Sequence, residues 1–309
     1  MTTCCRKKLV YFLRGGYSRE KEKGEMAVEI GVNFFGPKRK LYHDFEGTLS
    51  RLQEGGITYS EICVGFAGGG EPPKELKLQI PPEVLKEMKG GIWEKERAAE
   101  RLSATRAAGM RVIGTHVMLG FDADPALYAG LLPVLTAFGR EHNIRYFVIS
   151  PMKDSVQIEP FLPALRELSD GLAREGMCLM LHNHEMECIP QEGQTALDRI
   201  LAYCPAMKLE LDVGWAQFAG ADPVELMRKY RDRLELLHFK DVRADACPEN
   251  RDTCFTPVGE GSIPLAAIMA EAVRCPLAEG GLIIDQDDSP NDILDDLILG
   301  AANIRAAAN

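Results

Sequence analysis

No Cys-x-x-Cys pair, no long apolar run and no surplus of positive charge occur in this chain of 309 residues. The nine cysteines, at 4, 5, 63, 178, 188, 204, 247, 254 and 275, are odd in number and scattered. That argues against a disulfide framework or a structural zinc knot and favours reduced, mostly buried thiols, as expected of a cytoplasmic protein. The run Leu9-Val10-Tyr11-Phe12-Leu13 follows Arg6, Lys7 and Lys8 in the manner of a signal peptide, but Arg14 ends it after five residues. Such a run is too short for secretion or for spanning a bilayer. Lys and Arg number 36 against 46 Asp and Glu, a formal net charge of −10. Binders of nucleic acid or anionic membrane rely on the opposite sign, so small solutes are the expected partners.

What is present is alternation. Residues 1–25, which include Arg19-Glu20-Lys21-Glu22-Lys23, read as a solvated, flexible leader, and from residue 26 to 309 short β-branched or apolar runs alternate with segments of helical period. Candidate strands fall at 28–34, 58–64, 111–117, 145–149, 177–182, 207–213, 234–239 and 281–285. Between them, Leu127, Leu131, Val134 and Phe138 form one apolar stripe, and Phe161, Leu165, Leu168 and Leu172 form another. Spacings of three and four put each set on one helix face, ready to pack on a sheet. Asp222-Pro223 reads as an N-cap followed by proline at the first helical position. Eight such units predict an α/β fold, a single (β/α)₈ TIM barrel with its site at the carboxyl ends of the strands, with a doubly wound open sheet as the alternative. Two long connections, 66–92 with Gly68-Gly69-Gly70 and 241–261, follow strands on that same face and read equally as surface insertions or as lids.

Four of the candidate strands run from apolar residues into cation-binding side chains: His182 with His184, Asp212, His238, and Asp285 with Asp287. Burying an unpaired carboxylate costs on the order of several kcal/mol, so Asp212 after Met207 to Leu211 needs a cation or a cap. His238, between Leu237 and Phe239, reads as a metal ligand or a satisfied core histidine; Asp285 reads as a ligand or part of an acidic loop lip. Glu187 suits a ligand of second rank or a loop contact. His116 and Lys153, each near a strand end, suit oxyanion contacts or a solvated rim, and Lys240 with Asp241 reads as substrate contact or as a loop ion pair.

The order of these pieces resembles a known family. His182-Asn183-His184 with Glu187, Leu211-Asp212 through Trp215 to Asp222-Pro223, His238-Phe239-Lys240-Asp241, Val258-Gly259-Glu260-Gly261-Ser262 and Ile284-Asp285-Gln286-Asp287 are similar to the sugar phosphate isomerase/epimerase superfamily. These are the xylose isomerase-like barrels that include keto-sugar epimerases, hydroxypyruvate isomerases and inosose dehydratases. The resemblance implies one divalent cation held by His182, Asp212, His238 and Asp285, with glutamate the usual residue at the first and last of these positions. In isomerases and epimerases of the family those two glutamates also carry the proton. Here His182 or His184 is expected as the base, with Asp285 as ligand and partner, and His116, Lys153, Trp215, Lys240 and Glu187 as substrate contacts. Trp215 stands where epimerases tend to carry a substrate-binding histidine; a tryptophan there suits ring stacking and core packing equally. Two imidazoles and two carboxylates suit Mn²⁺, Co²⁺ or Zn²⁺ better than Mg²⁺.

The expected activity is isomerisation or epimerisation of a keto-sugar, sugar acid or cyclitol, with dehydration of the inosose dehydratase type as the alternative on the same scaffold. A homodimer is the assembly that such barrels often form. Apurinic-site cleavage, known on this barrel, needs a three-metal cluster and a basic groove, which four well-placed histidines and the negative charge disfavour. A non-catalytic sugar-binding barrel rests only on the departures at His182 and Asp285.

Overall fold

The computed structural model describes residues 28–66, 81–119, 124–150, 157–251 and 253–308. The leader, Gly68 to Gly70 and Lys153 lie outside the described residues. Eight parallel strands close on themselves: β1 (Ile30–Asn33), β2 (Ile57–Gly65), β4 (Arg111–Met118), β5 (Tyr146–Ile149), β6 (Cys178–His182), β7 (Lys208–Asp212), β8 (Leu234–Phe239) and β11 (Leu282–Ile284). Each pairs with the next, and β1 pairs with both β2 and β11. That double pairing excludes the open sheet and makes the fold a (β/α)₈ barrel. Every expected strand is present, with ends shifted by one or a few residues.

Helices follow the strands. After β1 come α1 (Lys38–His43) and α2 (Phe45–Glu54); after β2, α3 (Pro82–Gly91) and α4 (Lys95–Ala107) flank the short β3 (Ile92–Glu94), which adds to the carboxyl end of β2. Then come α5 (Pro125–His142), α6 (Leu162–Arg174), α7 (Ala196–Tyr203), α8 (Val213–Phe218), α9 (Pro223–Lys229), α10 (Leu265–Ala272) and α11 (Ile293–Ala307). The connection after β8 carries a two-stranded antiparallel hairpin, β9 (Asp241–Val242) with β10 (Phe255–Thr256). The striped residues Leu131, Phe138, Leu165, Leu168 and Leu172 are buried in the main core cluster between barrel and helices.

Inside the barrel, Tyr59, Ile113, Val148, Met180, Leu236 and Ile283 form a separate apolar cluster. Two residues further along four of those strands stand Glu61, His182, His238 and Asp285, all buried. Strand side chains alternate with period two, so an inward apolar residue is followed by an inward ionisable one a layer higher. The amino end is closed by Tyr59, whose hydroxyl donates to Glu279 at 2.7 Å while the Arg111 guanidinium lies 3.9 Å over its ring. The site can therefore open only at the carboxyl end.

Helix α7 shows how local sequence sets an element. Thr195 caps it and Asp198 closes a reciprocal capping box. Asp198 also accepts from Tyr230 and pairs with Lys229 at 2.6 Å. Partial burial pushes its carboxyl up, but Lys229 and Tyr230 outweigh that and bring it down to about 2. A carboxylate depressed in the fold stabilises above its unfolded value near 3.8 and loses that contribution as pH falls toward about 2. Allowing for solvent screening, Asp198→Asn should cost about 1 kcal/mol at pH 7 in urea unfolding. The gap from the native chain should close as the pH is lowered through that window.

Candidate active site

The carboxyl ends of β6, β7, β8 and β11 bring His182, Asp212, His238 and Asp285 together, with one ligand-capable atom from each within 4.8 Å of all the others. Asp212 serves two purposes. Its Oδ1 accepts the Trp215 backbone N–H at 2.8 Å and so caps α8, whereas its Oδ2 is buried without a partner. Asn183 fixes this strand end by exchanging hydrogen bonds with the Asp212 backbone, accepting from its N–H at 3.0 Å and donating to its carbonyl at 3.1 Å. His238 is fully enclosed; its Nδ1 lies 3.4 Å from Asp285 Oδ2 but makes no hydrogen bond. A buried carboxylate oxygen and a buried ring nitrogen, both unsatisfied in one cluster, fit a divalent cation.

Lys240 lies beside this set. Its Nζ is 3.0 Å from Asp285 and 2.7 Å from Asp287, and the ammonium sits 5.2 Å over Trp215 and 4.8 Å over Phe255. Burial works against that charge, but Asp285 and Asp287 outweigh it and raise the lysine above its usual value. Burial would raise Asp285, yet Lys240 and His238 hold it well below the carboxylate range. Asp212, with no such direct partner, is pushed up to about 7 by burial. Lys38 at the start of α1 adds a second amine, donating to the Asp287 carbonyl at 2.6 Å; burial lowers its pKa.

The expected ion pair between Lys240 and Asp241 is not formed. Lys240, between the end of β8 and the start of β9, turns to Asp285 and Asp287, and Asp241 instead accepts five backbone N–H groups, from Val242, Gly259, Gly261, Ser262 and Ile263, at 2.8–3.1 Å. It is the anchor of the 257–263 loop. A Cβ on Gly261 would come within 2.2 Å of the Asp241 Oδ1, so the loop passes where only glycine fits.

His184 is partly buried and meets Trp215 edge to face at 5.7 Å. Burial, then Lys240, lowers its pKa to about 4, leaving a neutral imidazole at pH 7. Trp215 itself is buried, packed with Val242, Cys254 and Phe255. Arg251 lies 4.3 Å over its indole and grips Glu185, with Nη2 to Oε2 at 2.9 Å, tying the loop after β8 to the loop after β6. Glu187 lies in that second loop, where it accepts the His184 backbone N–H at 2.8 Å.

Two buried glutamates beneath the set escape the sequence reading. Glu210, two residues before Asp212, has its Oε2 2.9 Å from His116 Nε2 and 3.0 Å from His182 Nδ1. Glu61 on β2 lies 2.9 Å from His238 Nε2 and accepts from Asn33 at 2.7 Å. Burial and the neighbouring Glu210 push Glu61 up to about 7. His116 is thus placed among the glutamates in the barrel interior.

The family model for xylose isomerase-like TIM barrels matches residues 93–274. The chain belongs to that family. Among its relatives, the rhizopine catabolism protein MocC of Rhizobium meliloti is 26% identical over 264 residues, 77% of either chain. The inosose dehydratase of Geobacillus kaustophilus is 31% identical over 143 residues, 40% of this chain and 46% of that enzyme. The chain thus matches about half the length of that dehydratase. Among solved structures, a sugar phosphate isomerase/epimerase from Parabacteroides distasonis superposes with a TM-score of 0.69 at 17% identity, covering 93% of this chain and 96% of that one. The probable 3-DHS dehydratase AsbF of Bacillus anthracis gives 0.63 at 14% identity, covering 91% and 99%. At these identities the structures speak for the barrel fold. Among the described residues, no helix is long and apolar enough to cross a membrane.

Removal of Asp241 tests the loop anchor. Asp241→Ala should lower stability by about 3 kcal/mol, since five buried or half-buried donors lose a charged acceptor, and limited proteolysis should then cut within 257–263 first.

Proposed function

We propose that this chain is a metal-dependent enzyme that removes a proton next to the carbonyl of a keto-sugar, sugar acid or cyclitol, with loss of water as the favoured outcome. The observation that carries the reading is the convergence of His182, Asp212, His238 and Asp285, with Asp212 Oδ2 and His238 Nδ1 left unsatisfied. A divalent ion on these residues would polarise a carbonyl and an adjacent hydroxyl and acidify the carbon between them. The similarity to inosose dehydratases supports a polyol substrate.

Side chains of this site supply the proton traffic. His184, neutral at pH 7 because burial and Lys240 lower its pKa to about 4, has a lone pair available and takes the role of base. The imidazole of His182 is held through Nδ1 by Glu210, which leaves its Nε2 as the ligand-capable atom. Lys240, kept cationic by Asp285 and Asp287, is the acid for a departing hydroxyl. Dehydration needs one base and one acid of this kind, while isomerisation in the family's manner needs two carboxylates that exchange the proton, and histidine replaces the first of them here. A second reading, isomerisation or epimerisation, is favoured by Asp285, which belongs to the same set as His182 and supplies one of the two groups. The seven described cysteines form no disulfide with one another, which accords with a cytoplasmic setting.

Incubation in deuterated water with a panel of inososes and ketoses separates the outcomes: formation of an unsaturated product supports dehydration, whereas deuterium uptake with retention of water would replace it with the isomerase reading. Asp212→Asn should lower turnover by at least roughly 10³-fold and weaken Mn²⁺ binding. Unchanged Mn²⁺ affinity in that variant would refute the metal centre.

A further inference from the structure

The geometry points to a second seat for a divalent cation, one layer below the first, formed by His116, His182, Glu210 and His238 with Glu61 beside them. One ligand-capable atom from each of the four lies within 4.8 Å of the others. Nε2 of His116, Nδ1 of His182 and Nε2 of His238 stand 2.9, 3.0 and 3.2 Å from a single atom, Glu210 Oε2. A carboxylate oxygen has roughly two lone pairs to offer, and the rings of His116 and His182 take both, while His238 Nε2 lies nearer Glu61 Oε2, at 2.9 Å. Oε1 of Glu210 and Oε1 of Glu61 meanwhile are buried with no partner at all. Two orphaned carboxylate oxygens among three imidazoles leave acceptor capacity unused in a buried cluster, and such spacings suit neighbouring ligands of one ion about 2.1 Å away from each.

Charge argues in the same direction. Glu61 and Glu210 are both fully enclosed, and among the described residues no lysine or arginine pairs with either. Two carboxylates in a dry interior need compensating positive charge, and only imidazoles are in reach. A divalent cation supplies that charge while letting the rings act as lone-pair donors. His238 faces both seats, Nδ1 toward Asp285 and Nε2 toward Glu210, and His182 belongs to both sets. As a neutral imidazole each offers one lone pair and serves one seat at a time, and ions in both seats together would require release of the ring protons.

Three imidazoles and a carboxylate select Zn²⁺, Co²⁺ or a similar borderline ion over Mg²⁺ or Ca²⁺. The apolar layer of Tyr59, Ile113, Val148, Met180, Leu236 and Ile283 lies beneath the seat, and the ligands are at most 7% exposed. No substrate fits there. The ion is structural, joining β4, β6, β7 and β8 through their side chains.

The test uses Asp212→Asn/Asp285→Asn, in which the upper carboxylates are neutralised while the amide at 212 can still cap α8. Stripped of metal and titrated with Co²⁺, this variant should develop a visible d–d absorption that saturates near about one ion per chain, and Co²⁺ should raise its unfolding temperature. Adding Glu210→Gln, or separately His116→Phe, should weaken that binding by roughly 100-fold or more, with circular dichroism confirming that each variant is folded. Absence of Co²⁺ binding in the double variant, or binding unaffected by both added substitutions, would overturn the second seat and leave the deeper residues as a hydrogen-bonded support. Neither outcome bears on the proposed reaction, which Asp212→Asn and the deuterium experiment test alone.

Discussion

Strand periodicity inside a closed barrel is the constraint on which the rest of the structure depends. Eight parallel strands leave one interior, and every second residue must enter it. From Tyr59 to Glu61, Met180 to His182, Leu236 to His238 and Ile283 to Asp285, the same two-residue step exchanges an apolar side chain for an ionisable one. The apolar level closes the bottom and excludes water, and the polar level above it is forced into mutual contact. Chemistry in this protein is concentrated by geometry before any loop contributes.

Enclosure then sets the electrostatics. Each buried carboxylate would be costly alone, and the chain answers in three ways. Asp285 is matched by Lys240, Asp241 by backbone N–H groups, and Glu210 by imidazoles. Asp212, Glu210 and Glu61 each keep one oxygen outside all such arrangements. Asp241, with both oxygens engaged by the loop it holds, is framework, whereas the carboxylates with an oxygen to spare gather where the imidazoles do.

Much of this was legible in the sequence, for definable reasons. The eight strands could be read because each is an apolar run between helical stripes, and His182, Asp212, His238 and Asp285 because each ends such a run. Strand β3 and the β9–β10 hairpin have two or three residues per strand, too few to show a period. Glu61 and Glu210 each interrupt an apolar run once, and a single charged residue in a strand ordinarily faces solvent. Applying the alternation strictly would have found Glu210, two residues from Asp212 and on the same side. Neighbouring opposite charges offered pairing as one reading of Lys240 and Asp241, but the lysine finds Asp285 and Asp287 and the aspartate finds backbone N–H groups of a later loop. The contacts of Lys240 with Asp287 and of Arg251 with Glu185 join distant segments, and only the folded chain reveals them.

The loop anchored by Asp241 has an evolutionary consequence. All its contacts with that carboxylate come from backbone N–H groups, and Asn303 adds a hydrogen bond to the Val258 carbonyl at 2.8 Å, so its shape is written largely by residues outside the loop acting on its backbone. Side chains at Glu260 and Ser262 can drift without altering the path, whereas Gly259, at φ +91°, and Gly261, with no room for a Cβ, cannot. Such a segment separates heritable shape from heritable chemistry: a lineage could change what the rim presents to a ligand while inheriting the rim itself intact.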